Sequence, residues 1–242
     1  MIAPRPGTVD PPFRTGENRL LNGLSRHRRN RLRGQLEPIV LSFGDVLAEC
    51  DQPIRHVYFP ISGYIAVIGK ADDHSTLELG MIGDEGMLGI SLLLGVRQSP
   101  LKALVQGAGC ALRMTTADFE RELSANAKLD RELKRYLHLL LGNLARGSLC
   151  VRFHRVAARL ARYLLSVQDC AHANHFHLKH ELLGEMLGVR RSGITVAAGS
   201  LQRQKLIHYH RGHITVLDRA GLERVACECY ARGAKARQKV MG

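Results

Sequence analysis

The chain has no tryptophan, and its few phenylalanines and tyrosines bring aromatic residues to only 5% of 242. Aliphatic side chains must therefore supply most of any core. With 45% hydrophobic residues there are enough of these for two compact domains. A run of roughly eighteen apolar residues, the minimum for a membrane-spanning helix, is also missing. The start Met1-Ile2-Ala3-Pro4-Arg5-Pro6 lacks the apolar segment of a signal peptide. A cytoplasmic protein with no membrane partner is the expectation. Cysteines stand at 50, 110, 150, 170, 227 and 229 without a CxxC pair, which indicates neither a disulfide framework nor a zinc module. Reduced thiols are expected. There is no phosphate-binding Gly-Lys-Ser/Thr loop, no GxSxG elbow and no HExxH, so the chain does not read as an enzyme and no catalytic residue is assigned.

Positive charge, by contrast, is abundant and unevenly placed. The formal net charge is +13, yet residues 35–149 carry 11 Lys and Arg against 14 Asp and Glu, while residues 150–242 carry 16 against 6. A polyanion partner for the C-terminal third follows naturally, because neutralised phosphates release condensed counterions. A merely solvated basic surface is the plainer alternative.

That third contains the most informative stretch, His180 to Gly199. Gly184 lets two helices approach, Gly188 suits a turn of positive φ, and Ile194 plugs the angle between the helices. Leu183, Leu187, Val189 and Ala197 form an inner apolar face; Arg190, Arg191, Ser192, Thr195 and Gln202 fall outside it. This is the pattern of a helix-turn-helix whose second helix enters a major groove. Leu206 to Leu217 reads as a hairpin turning at Arg211-Gly212, which makes the whole a winged helix. Asp218 caps a last helix expected from about Arg219 to Ala231, followed by a disordered basic tail.

Further upstream, residues 1–16 read as a flexible tail, and Asn18 caps a short helix with Leu20, Leu21 and Leu24. The basic run Arg26 to Arg31 fits a solvated helix face. From Leu36 to about Met114, short apolar runs are broken by Gly, Asp and Pro. Strands are expected at 39–43, 57–59, 64–69, 76–81 and 103–105, with Asp72-Asp73-His74-Ser75 as a hairpin loop. The reading is a small antiparallel barrel or roll, whose interior is either plain core or a ligand cavity.

The period changes after it. Leu129, Leu133, Leu137, Leu140, Leu144, Gly147 and Val151 lie four or three apart, close to a heptad seam. A long helix capped by Ser124 and supported by an Asp130–Lys134 pair is predicted. It is either a core helix on the roll or a dimer seam. Its roughly seven turns exceed what a small roll covers, which favours the seam. A further amphipathic helix runs from Val156 to about Asp169.

The order roll, long helix, winged helix resembles the Crp/Fnr family of bacterial transcription regulators over about residues 15–231. Phe43-Gly44-Asp45, Tyr58-Phe59 with Ser62-Gly63, and Gly83-Asp84 look like landmarks of that family's effector roll; Leu182 to Ser192 is similar to its DNA-binding motif. The resemblance implies an α+β fold with an N-terminal β-roll of the double-stranded β-helix or jelly-roll kind. It divides the chain into a tail (1–16), an effector-type roll domain (17–123), a dimerisation helix (124–151) and a winged-helix DNA-binding domain (152–242). It also implies a homodimer on a palindromic site, with double-stranded DNA, a second copy and RNA polymerase as partners.

Carried over residue by residue, Arg191 is at the position that reads a guanine, where a bidentate contact is sensible. His180, Arg190 and Thr195 are where phosphate contacts are expected. Ser192 replaces a frequent Glu and Val196 an occasional Arg, so the operator should differ from that of well-known members. On the effector side Gly83, Gly89, Ile90 and Ser99 mark the corresponding pocket. Ile90 stands in place of the ribose-binding Glu, and the later position near Ser99-Pro100 lacks the usual Arg-Ser/Thr-Ala context despite the nearby Arg97. A buried phosphate without a paired cation is costly, which argues against cyclic AMP or cyclic GMP and leaves the effector unknown. No cysteine precedes Cys50, against the iron–sulfur sensors of the family.

Two groups of thiols and imidazoles need weighing, the first as a candidate metal site and the second as a candidate redox pair. Cys170, His172, His175, His177 and His180 crowd the approach to the helix-turn-helix at spacings that fit no standard site. Cys227-Glu228-Cys229 falls on the expected last helix, where residues two apart face different directions. No metal ligand is assigned. The expected function is a dimeric, sequence-specific regulator modulated by an unidentified signal at the roll. The alternatives are a cyclic-nucleotide-responsive regulator and a ligand-binding signalling or interaction protein without a specific DNA target.

Overall fold

The computed structural model describes residues 18–71 and 75–241. The expected N-terminal tail and the hairpin-loop residues Asp72-Asp73-His74 lie outside them. Two helices come first, α1 (Arg19–Asn22) and α2 (Arg26–Arg33). Asn18 caps α1 by accepting from Leu20 and Leu21 N–H, and its amide donates to the Pro60 and Gly86 carbonyls at 2.9 Å each. A fully buried polar residue thus ties the start of the described chain to the roll.

The roll is an antiparallel sheet of β1 (Glu37–Leu41), β2 (Val46–Ala48), β3 (His56–Lys70), β4 (Thr76–Ile82) and β5 (Lys102–Thr115). Its order is β1-β5-β3-β4, with β2 also on β5. The expected strands at 57–59 and 64–69 are parts of one strand, β3. It continues through Pro60 to Gly63 because register shifts let it bend while staying paired with β5. Likewise 103–105 is only the beginning of β5. Strand runs interrupted by Gly and Pro look separate in sequence because bulges use the same residues as turns. A 3-10 turn at Ile90–Leu94 lies between β4 and β5.

Two helices replace the single one expected from Ser124. The first, α3 (Thr116–Ala125), is capped by Thr115; the long α4 (Ala127–Phe153) is capped by Asn126, which accepts from Leu129 N–H at 3.1 Å. Ser124 instead ends α3, donating to the Glu120 carbonyl. The Asp130–Lys134 pair is formed at 2.7 Å. Leu129 and Leu133 of the predicted seam are buried against the roll in a core with Phe59, Met87 and Phe119. Farther along α4, Leu141, Leu144 and Val151 are exposed. The seam pattern therefore combines a roll-packing half and a half with an open apolar stripe.

After His154 and Arg155 the chain turns into α5 (Val156–Ala171), then β6 (His175–His177), α6 (His180–Leu187), α7 (Arg191–Arg203), β7 (Ile207–His210), β8 (His213–Val216) and α8 (Arg219–Val225). The wing strands pair in the order β6-β8-β7. Asp218 caps α8 by accepting from Gly221 N–H at 2.8 Å. The predicted last helix breaks at Ala226 to Glu228, and α9 (Cys229–Met241) runs on where a disordered tail was expected. α9 returns along α4, and Met241 packs beside the core of the roll. Both α4 and the roll are far from α9 in sequence.

The C-terminal domain and the roll share one core. Tyr64, Ala66 and Ile68 of β3 pack in the same cluster as Leu160 and Leu164 of α5, Leu183 and Met186 of α6, and Ile194 of α7. No helix among the described residues is long and apolar enough to cross a membrane.

Candidate nucleic-acid interface

The turn between α6 and α7 is compact because two glycines allow it. A Cβ at Gly184 would lie 2.9 Å from the Val189 carbonyl oxygen, and Gly188 caps α6 at φ +60. Ile194 is completely buried at the crossing, with Leu183, Leu187 and Ala197 around it. One face of α7 is left open. Arg191, Ser192, Thr195 and Val196 are all exposed on it, Val196 to 71%. A valine this exposed at the centre of a polar helix face leaves its methyl groups in water, and a methyl contact in a groove would bury them. Arg190, just before α7, is exposed as well.

Arg191 Nε donates to Glu181 Oε1 at 3.1 Å, with both side chains more than half exposed. Such a pair contributes little stability, so the guanidinium is available to another acceptor at small cost. His180 and Thr195 differ in this respect. The Thr195 hydroxyl donates to the Arg191 carbonyl at 3.2 Å and meets His180 Nδ1 at 3.0 Å. The His180 ring stacks on Tyr209 of β7 with centroids 4.2 Å apart. Burial of the ring, with the charge of Arg191 in addition, lowers the His180 pKa below its ordinary value, so the neutral imidazole is favoured. Two of the expected phosphate ligands thus use His180 Nδ1 and the Thr195 hydroxyl to bracket α6, α7 and the wing, while His180 Nε2 has no hydrogen-bond partner among the described residues. Tyr209 N–H donating to Gln202 at 2.8 Å completes that bracket.

The wing adds groups that motif reading of the helices passes over. β7 and β8 are joined by Arg211 and Gly212, both left-handed at φ 48 and 85, and His208, His210 and Arg211 are exposed. Their signal in the sequence was the hairpin itself, but which side of it meets α7 depends on the pairing of β6 with β8.

Residues 158–225 match the family described as the Crp-like helix-turn-helix domain. The chain carries this domain on a Crp/Fnr-type fold. Among solved structures it is similar to FixK2 from Bradyrhizobium japonicum (15% identity, 79% of this chain and 98% of that one, TM-score 0.67). It is similar, too, to the c-di-GMP-responsive regulator CLP of Xanthomonas campestris (17% identity, 79% and 99%, TM-score 0.65) and to a Crp/Fnr-family regulator of Thermus thermophilus (21% identity, 78% and 98%, TM-score 0.64). These likenesses establish the fold. A search of curated protein sequences gives no match. The matched segment is a helix-turn-helix domain, the type of module that docks on DNA, and it spans α5 to α8.

In this Crp/Fnr-type roll none of the four expected effector residues lines the cavity between β4, α4, α5 and α9 described below. A Cβ on Gly83 would lie 3.0 Å from Cys170 Sγ of α5, so Gly83 serves the contact between roll and Crp-like domain. Gly89 has φ +99 beside Val57 and starts the 3-10 turn, whose first residue Ile90 packs on the roll core. Ser99 is buried and its hydroxyl donates to the Leu101 carbonyl at 2.7 Å. A cavity of about 720 Å³ lies elsewhere, between β4, α4, α5 and α9. Glu78, Arg159, Arg162, Tyr163 and Arg237 are among its walls. Glu78 accepts from the Tyr163 hydroxyl at 3.3 Å, and burial pushes its pKa up to about 8 against the opposing effects of that bond and of Arg162. The Arg159 guanidinium donates to the Leu187 carbonyl at the end of α6, tying α5 to the helix-turn-helix.

The thiol and imidazole group at 170–180 is dispersed. Cys170 is buried against the roll, His172 meets Asp84 at 3.3 Å, His175 and His177 contact the His213 ring, and His180 belongs to the bracket.

Proposed function

We propose that the chain acts as a homodimer that reads a palindromic DNA site, one α7 per half-site, under control of a signal received by the roll. The observation that carries this reading is the open face of α7. Its exposed Arg191, Ser192 and Val196 stand on a domain whose sequence is strongly basic. Arg191 is assigned to a guanine, Arg190 to a phosphate, and Val196 to a thymine methyl. His180 and Thr195 act at the backbone through the geometry they impose on α6, α7 and the wing.

The exposed stripe of α4 supports the dimer. Leu137, Leu141, Leu144, Ser148 and Val151 follow one another at intervals of four and three, the spacing of a coiled-coil seam. Paired seams would set two recognition helices about one helical turn apart, as a two-fold site requires. The roll lies against the Crp-like domain across a shared core, so a ligand that favours one packing of that core would shift the positions of α6 and α7.

The test is binding of the full chain to DNA sites selected from random sequence, followed through a salt series. The selected sites should be two-fold symmetric, and affinity should fall steeply and linearly on a log–log plot as salt rises. Asymmetric sites, or binding equally tight to any sequence, would refute the reading. Repeating the series with cyclic AMP tests the alternative effector, for which no change in affinity is expected.

A further inference from the structure

Four metal-binding side chains from two distant parts of the sequence meet at the junction of α4 and α5. Cys150 is in the last turn of α4, and His154 is four residues on, at the break before α5. Cys227 lies in the break between α8 and α9 and Cys229 is the first residue of α9, so they do not diverge as they would on a continuous helix. Their donor atoms all lie within 4.8 Å of one another. The Cys150 and Cys227 sulfurs are 3.5 Å apart, and Cys229 Sγ is 3.7 Å from His154 Nδ1.

A tetrahedral ion with metal–sulfur bonds of about 2.3 Å and a metal–nitrogen bond of about 2.0 Å separates its ligands by roughly 3.5–3.8 Å. The sulfur–sulfur separation of 3.5 Å and the sulfur–nitrogen separation of 3.7 Å each fall within about 0.3 Å of the corresponding edge. Four donors so close enclose a single ion, whereas an iron–sulfur cluster inserts iron and sulfide between its cysteines and needs a wider ring. The remaining imidazole nitrogen, His154 Nε2, meets Glu228 Oε2 at 3.2 Å. That is the carboxylate–histidine arrangement that fixes the tautomer and aim of a metal-bound ring. Cys150 is fully buried and Cys227 is 6% exposed, which keeps competing water from two of the positions. Three thiolates and one neutral histidine around a divalent ion leave one net negative charge. Arg159 and Arg162 stand within electrostatic reach of Cys150 and Cys227 to balance it, and the Nε of each has no hydrogen-bond partner among the described residues.

We propose that Cys150, His154, Cys227 and Cys229 form a tetrahedral site for a divalent transition metal ion, zinc(II) by ligand softness and geometry, that clamps the start of α9 to the break between α4 and α5. Loading releases the three thiol protons to solvent and moves no electron. The two ligands from the C-terminal side lie just beyond the matched Crp-like domain, which ends at residue 225, so this site is an addition to that domain. Its position gives it leverage. The break it ties is the joint at which the Crp-like domain meets the long helix.

The experiment uses the full chain, reduced, stripped with a chelator and freed of it, then titrated with cobalt(II) as a spectroscopic probe and afterwards with zinc(II). Binding should saturate at one cobalt per chain, with sulfur-to-cobalt charge transfer and the intense d–d bands of a tetrahedral site, and zinc should displace it. Cys227→Ser and Cys229→Ser should each abolish the native charge-transfer intensity or lower it in steps, while Cys50→Ser leaves it intact. Glu228→Gln, at an exposed position, should keep the spectrum and weaken affinity roughly 10–100-fold. The proposal fails if the reduced chain shows no charge-transfer band, or if the band survives in both Cys227→Ser and Cys229→Ser. DNA binding plays no part in this readout, so the metal site and the DNA reading stand or fall separately.

Discussion

Gly188, in the turn of the helix-turn-helix, lies directly against Leu77 of the roll: a Cβ placed on it would stand 3.0 Å from Leu77 Cδ1. The element proposed to face DNA on one side therefore rests on the sheet of the roll on the other. This contact continues the shared core of Tyr64, Ile68, Met186 and Leu187. Displacement of β4 would be felt at the turn without any intermediate, because packed cores do not deform smoothly.

Gly188→Ala meets both a φ of +60 and the crowding by Leu77. A destabilisation of about 1–2 kcal/mol is expected from the left-handed backbone alone. Urea denaturation of the variant checks it. Unchanged stability would mean that the turn is free to relax away from β4.

Arg191→Ala should cost about 1–3 kcal/mol in binding to the selected operator and relax preference at one base pair in each half-site. Competition binding with operators substituted base by base reads this directly. Glu181→Gln, which removes the partner 3.1 Å from the guanidinium, should leave the preference intact and tighten binding slightly.

Leu144→Glu and Val151→Glu place charge on the exposed stripe of α4 without disturbing Leu129 and Leu133 on its buried half. Each should convert a dimer to a monomer in sedimentation equilibrium and reduce operator affinity, while the unfolding transition of the monomer remains cooperative. A monomeric wild type would remove the basis for the paired seam.

Glu78 gives a pH dependence of definite sign. Its folded pKa of about 8 lies above the ordinary value of 4.5, so between these limits the folded state holds a proton that the unfolded state has released. Its contribution is complete below pH 4.5 and declines as pH rises toward 8. Because the residue is partly exposed through the cavity, the loss should be about 2 kcal/mol. Glu78→Gln keeps an acceptor for Tyr163 and should flatten this slope in denaturation curves taken across that range. An unchanged slope would show that Glu78 is charged at neutral pH.

The helix-turn-helix was readable because its constraints are local. Gly184, Gly188 and Ile194 sit within eleven residues, and each is demanded by a backbone angle or a close approach inside the same short segment. Asn18, Asp218 and the Arg211-Gly212 turn were legible for the same reason. The roll was legible as a class but not in its strand boundaries, since the bulges that bend β3 resemble turns until β5 is seen paired across them. Of the residues proposed to face DNA, the sequence pattern singled out His180 and Thr195 but could not reveal that Tyr209 and Gln202 engage the bracket they form.

Charge distribution, helical and strand periods and glycine spacing were thus enough for the order of sheet, long helix and winged helix-turn-helix elements, because these depend on neighbours within a few residues. Contacts between segments far apart in sequence had to come from the folded chain. Only folding divides the single apolar period of α4 into a buried and an open half, carries the turn at Gly188 onto Leu77, and brings Cys150 and His154 to Cys227 and Cys229. Spacing along the chain does not encode distances across a core; those are set by how the helices and sheet pack.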